Sequence, residues 1–187
     1  MNYYQFDADD AVIANTITSQ QLLPLSRYGD SPKYWDDGIR LVHVPYLATD
    51  RDIVSANELP DAIGVGVEVV VSSRLANCLK EFRRGQAAEL LPVSIVNRKM
   101  NVISDEFSLL ISRSWINVLD PTESNASLFS DGAIDEIERW VLSKPLLPPE
   151  IDWFYAHDYC WIVNELVADA FKKYSITNVR LTRVSVS

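Results

Sequence analysis

The stretch Val69-Val70-Val71-Ser72-Ser73-Arg74-Leu75-Ala76-Asn77-Cys78-Leu79-Lys80-Glu81-Phe82 changes its period in the middle. Upstream, Val65, Val67, Val69 and Val71 alternate with Gly66, Glu68 and Val70, a period of two that predicts one strand. Ser72-Ser73 then offers a hydroxyl to cap a helix. Leu75, Cys78, Leu79 and Phe82 follow at i, i+3, i+4, i+7, which lays one apolar stripe along that helix. Gly85 stops it. The same order of strand, cap and helix recurs from Trp161 to Tyr174, where Asn164 is the cap and Leu166, Val167, Ala170, Phe171 and Tyr174 fill the helix. Strand-to-helix units are common, so a chance recurrence is expected over an internal duplication.

Outward from these units, Leu90 to Val96 reads as a further strand with Pro92 near its start. Trp153-Phe154-Tyr155 and Trp161-Ile162-Val163 read as two strands around the polar turn Ala156-His157-Asp158. Ile176 to Leu181 turns into a last strand. Ile134, Ile137 and Val141 predict another helix, opened by Ser130-Asp131 and ended by Lys144-Pro145. Trp115 to Leu119 is a short apolar segment closed by Asp120-Pro121. Residues 1–64 are less regular. Tyr3 to Phe6 and Ile39 to Val44 are their strand candidates, and Pro24, Gly29, Pro32, Gly38 and Pro60 mark loops. The expected fold is α+β, a mostly antiparallel sheet with about three helices packed on one side, in a single domain over 1–187.

The chain has 187 residues, 48% of them apolar and 23% charged, enough for a hydrophobic core without staples. The net charge is −9. A general nucleic-acid binder needs a basic face to release counterions, and anionic lipid needs one too, so neither is an expected partner. The charge is blocked: residues 1–70 carry a net −7, 71–113 a net +3, 114–170 a net −9 and 171–187 a net +4. No basic and apolar leader follows Met1, and no apolar run approaches the ~18 residues of a membrane span, so a cytoplasmic location is expected.

Chemistry is sparse. His43 and His157 are the only histidines, and Cys78 and Cys160 the only cysteines. His157-Asp158 near Cys160 is the one local cluster of reactive types, but positions 157 and 160 of a strand point to opposite faces. No metal-ligand spacing appears, and Asp7, Asp9 and Asp10 read as a solvated face. Gly64-x-Gly66 precedes or opens a strand rather than following one, unlike a dinucleotide loop. No catalytic site, metal or cofactor is therefore expected. Of the five tryptophans most should be core, yet Trp153-Phe154-Tyr155 cannot all be buried on a half-exposed strand. Aromatics beside Asp152 and Asp158 suit an interface hot spot with an acidic rim, and a sheet covered on both faces explains them equally well.

The run Val69 to Phe82, then Leu90 to Ile95, Asn117-Val118-Leu119-Asp120 with Ser124, Gly132 to Leu142, Trp153-Phe154, Ile162 to Leu166 and Tyr174 to Leu181 together resemble a family of bacterial immunity proteins. These are encoded beside polymorphic toxins and were first defined as a domain of unknown function. The resemblance spans residues 65–184. The family tends to have Gly where Asn178 stands and a capping Ser where Asn164 stands, and Asn serves both positions. What the resemblance implies is neutralisation of a cognate toxin, usually the C-terminal domain of a delivered effector, by a protein without catalytic residues. Acidity suits a cationic partner. The expected toxin-binding residues are Asp152, Trp153, Tyr155 and Asp158, with Asp135, Glu136 and Glu138 next. Two other classes remain: a small hydrolase pairing Cys160 or Cys78 with His157 or His43, and a chaperone or adaptor that escorts an effector.

Overall fold

The computed structural model describes residues 1–9, 46–48, 57, 59–65, 68–85, 88–96, 101–112, 114–130, 134–156 and 160–187. In chain order the elements are β1 (Tyr3–Ala8), β2 (Tyr46–Ala48), β3 (Ala62–Val65), β4 (Glu68–Ser72), α1 (Ser73–Lys80), β5 (Ala88–Val96) and β6 (Val102–Ser112). Then come β7 (Ala126–Leu128), β8 (Ile134–Ile137), β9 (Val141–Leu142), a 3₁₀ turn (Lys144–Leu146), β10 (Trp153–Ala156), β11 (Cys160–Asn164), α2 (Glu165–Lys173) and β12 (Val179–Val186). The class is α+β and mostly strand, with largely antiparallel sheets. Instead of one sheet with about three helices, the described residues form two five-stranded sheets, a two-stranded hairpin and two α-helices.

Sheet one runs β2-β5-β6-β4-β3 and sheet two runs β9-β12-β1-β11-β10. The two orders correspond strand for strand. In each sheet the hairpin at one edge is antiparallel, the central strand is antiparallel to both neighbours, and the short strand at the far edge is parallel. Both helices pack into one shared core. Val69, Val71 and Leu110 of sheet one, Phe6, Trp153, Trp161 and Val163 of sheet two, and the buried faces of α1 and α2 all belong to it. The opposite face of sheet one gathers Ile63, Val70, Val93, Ile95, Phe107 and Leu109. That of sheet two gathers Tyr3, Leu142, Phe154, Ile162 and Val184 with Val118. Strands buried on both faces are why their sequences run apolar without clean alternation.

Both predicted caps form. The Ser72 hydroxyl accepts from the Leu75 N–H at 3.2 Å, and the Asn164 side chain accepts from the Val167 N–H at 3.2 Å. Three expectations are corrected. Val65 to Val71 is not one strand: β3 and β4 pair antiparallel, Ile63 opposite Val70, and a run of valines hides such a reversal. The predicted helix over Ile134–Val141 is β8 followed by β9. Its isoleucines and valine match a helical stripe, but they are β-branched and find strand partners, β8 on β7 and β9 on β12. The longest strand, β6, escaped the period reading because Ser104, Asp105 and Glu106 interrupt its apolar residues. Trp115 to Leu119 makes only isolated bridges, Ile116 to Ala156 and Leu119 to Leu142. The candidate strand Ile39 to Val44 lies outside the described residues.

Candidate functional site

Asp152 and Trp153, the first two expected binding residues, are used internally. Asp152 is 5% exposed. Its Oδ2 accepts from the Arg83 N–H at 2.9 Å and from Arg83 Nε at 3.2 Å, and its Oδ1 accepts from Asn164 Nδ2 at 2.8 Å. Burial opposes its charge, but the hydrogen bonds from Arg83 and Asn164 outweigh that and hold its pKa below the usual carboxylate value. Trp153 is 2% exposed, and its indole N–H donates to the Leu79 carbonyl at 2.9 Å. Tyr155 is half-buried with its ring 4.8 Å from that of Trp161. Asp152 and Trp153 therefore offer almost no surface to a docking partner. Asp158 lies outside the described residues, as do His43 and His157.

Asp61 is the counterpart that the sequence reading missed. It precedes β3 as Asp152 precedes β10, and its carboxylate accepts from Ser72 Oγ at 2.6 Å, Arg74 Nε at 3.0 Å and the Thr177 N–H at 2.8 Å. Burial pushes its pKa up, but the hydrogen bonds from Arg74, Ser72 and Thr177 prevail and bring it down to about 2. The thiols of Cys78 and Cys160 are buried and not joined in a disulfide. Burial, with the Glu81 charge behind it, pushes Cys78 up to about 11, which disfavours the thiolate that a nucleophile needs. Among the described residues no group of three or more His, Cys, Asp or Glu is placed to hold a metal ion. No helix among them is long and apolar enough to cross a membrane.

The surface feature that stands out lies within the segment 114–140, which joins β6 to β9 and in sequence carries six acids against one base; it is read from Trp115, Glu123, Phe129 and Glu138. Its base is tied down. Buried Ser124 accepts from the Val141 N–H at 3.1 Å and donates to the Val141 carbonyl at 3.2 Å. Asp120 Oδ1 accepts the N–H groups of Thr122 and Glu123, and its Oδ2 accepts from Ser187 Oγ at 3.0 Å. Val118 is fully buried against sheet two. Along the segment Trp115 is 58% and Phe129 55% exposed, and Glu123 and Glu138 are exposed too. Glu138 accepts from Asn125 Nδ2, and Arg139 lies 3.8 Å from Glu123. Asp135 and Glu136 sit in β8, with Glu136 opposite Ser127. The structure thus keeps Asp135, Glu136 and Glu138 together on one anchored hairpin and separates them from Asp152 and Trp153. Trp115 and Phe129 could have been singled out in the sequence only by asking which aromatics fall outside the regular elements. A scan against protein-family models finds no match, and no curated protein matches the sequence.

Proposed function

We propose that this chain is an immunity protein that binds a cognate antibacterial toxin in the producer's cytoplasm and blocks its active site. The sequence resemblance over residues 65–184 supports this reading, and one structural observation favours the segment 114–140 as the interface. The segment 114–140 holds more than half of the net charge, exposes Trp115 and Phe129, and is anchored from below through Ser124, Val118 and Asp120. An acidic segment that exposes two aromatics has the composition of a protein-binding surface. The negative field speeds encounter with a basic toxin and rejects acidic ones. Glu138, Asp135 and Glu136 keep the role expected of them, Trp115, Phe129 and Glu123 join them, and Asp152 and Trp153 leave the interface.

The test is co-expression with the toxin encoded beside this gene. The natural chain should restore growth. The variant Trp115→Ala/Glu123→Lys/Glu138→Lys should fold and lose protection. If cells die while the natural protein is abundant and folded, the immunity reading fails. If the triple variant protects fully, the interface lies elsewhere.

A further inference from the structure

We infer that the chain is a tandem duplication of one unit, and that the two copies have exchanged their first strands. The first unit comprises β1, β2, β3, β4, α1 and β5, within Tyr3–Val96. The second comprises β6, β9, β10, β11, α2 and β12, within Val102–Val186. In this order each element has a counterpart of the same type. Sheet one then contains β6 from the second unit, and sheet two contains β1 from the first.

Register makes the correspondence residue-specific. Phe107 of β6 lies opposite Ser72 and Val93, and Tyr3 of β1 lies opposite Asn164 and Val184. Ser72 and Asn164 are the two helix caps. One residue beyond Val93, Ser94 pairs in parallel with Tyr46; one beyond Val184, Ser185 pairs in parallel with Val141. The buried residues of α1 are Leu75, Ala76, Cys78 and Leu79, and those of α2 are Val167, Ala168, Ala170 and Phe171, at the same steps from the cap.

Polar contacts repeat as well. The Asp61 carbonyl accepts the Ser72 N–H at 2.8 Å, and the Asp152 carbonyl accepts the Asn164 N–H at 2.8 Å. Each of these carboxylates also takes the side chain of its own cap, Ser72 Oγ or Asn164 Nδ2. Each then takes a backbone N–H from the loop behind the other unit's helix: Thr177 donates to Asp61, and Arg83 donates to Asp152. The next carbonyls follow suit, Asn178 Nδ2 donating to Ala62 O and Gly85 N to Trp153 O, both at 2.8 Å. The first residue of each helix donates to the carbonyl one position before the cap's strand partner, Ser73 Oγ to Glu106 O and the Glu165 N–H to Asn2 O, both at 2.9 Å. Chance recurrence of a strand and a helix does not reproduce reciprocal bonds at matched positions. The alternation of charge, acidic then basic and again acidic then basic, is the same repeat seen in composition.

The inference does not rest on the immunity reading and is tested without a toxin. Let Ser187 be joined to Met1 by a short Gly/Ser linker and the chain be reopened between β5 and β6. In that permutant the β12-linker-β1 hairpin takes the place of the β5–β6 hairpin, and β6 becomes the free N-terminal strand. The order of equivalent elements is then the natural one. The permutant should show the natural circular dichroism and unfold in one transition, with a Tm within roughly 5 °C of the parent. A folded permutant that unfolds in two separate transitions overturns the exchange. Hydrogen exchange on the natural chain decides the matter if the permutant does not fold. Amides of β1 should be protected within about tenfold of those of β6, because both are central strands. Exchange of β1 at the rate of an ordinary chain end overturns the inference.

Discussion

Replacing Asp61 by Asn should lower stability by about 2–4 kcal/mol at neutral pH and flatten part of the acid limb. The Asp61 side chain is 8% exposed and receives hydrogen bonds from Ser72, Arg74 and Thr177. Its pKa falls from 3.8 to about 2, and at 1.36 kcal/mol per unit this is on the order of 2 kcal/mol. The folded value lies below the unfolded one, so this stabilisation is complete above about pH 4 and is lost as pH falls toward 2. Asn adds a cost, because its amide faces donors that previously met a carboxylate. Arg74 limits the total, since it is half exposed and regains water. The assay is urea unfolding of both proteins from pH 7 to pH 2.5. The parent should begin far ahead and converge on Asp61→Asn at the acid end. For a chain of this length the gap at pH 7 corresponds to a Tm lower by about 4–14 °C. A constant gap across the whole range, or one under about 0.5 kcal/mol at pH 7, refutes the assignment of Asp61 as a charged latch.

Trp153→Phe removes an indole N–H bonded to Leu79 O and opens space in the shared core, so it should cost about 2–4 kcal/mol by denaturant titration while toxin binding by the folded fraction is retained. Trp115→Ala should do the opposite, costing less stability than Trp153→Phe because the side chain is 58% exposed, and weakening toxin affinity at least tenfold in calorimetry. Glu123→Lys with Glu138→Lys should slow toxin association measured by stopped flow, with a difference from the parent that shrinks as salt is raised. Gly85→Ala places a Cβ 3.0 Å from the Phe154 Cβ, beside the bond from Gly85 N to Trp153 O, and should cost about 1–3 kcal/mol by thermal unfolding.

Local features were legible because local rules govern them. Ser72 and Asn164 announce their helices, and Trp153 to Val163 announces its hairpin, through side chains that act within a few residues. The duplication was visible as a recurrence yet not convincing, since α1 and α2 share little beyond Ala76 with Ala168 and Lys80 with Lys172. What identifies it is long-range, namely which strand lies beside which and which loop caps which carboxylate. Asp152 shows the same limit at the candidate site. An acid beside three aromatics has the composition of a hot spot, and only the distant Arg83 backbone reveals it as a buried joint. Ile134 to Val141 failed because a stripe of β-branched residues fits either period until a partner strand is known.

The position of β1 sets a schedule for biosynthesis. Tyr3 to Ala8 leave the ribosome long before their partners β11 and β12. Sheet one has all its strands once Ser112 has emerged, while β1 waits for Val186. At about 5–20 residues per second β11 follows β1 by roughly 8–30 s, during which a central strand with two open edges is unpaired. The nascent chain should therefore depend on β1 being shielded, and its second sheet is complete only after Val186 has emerged.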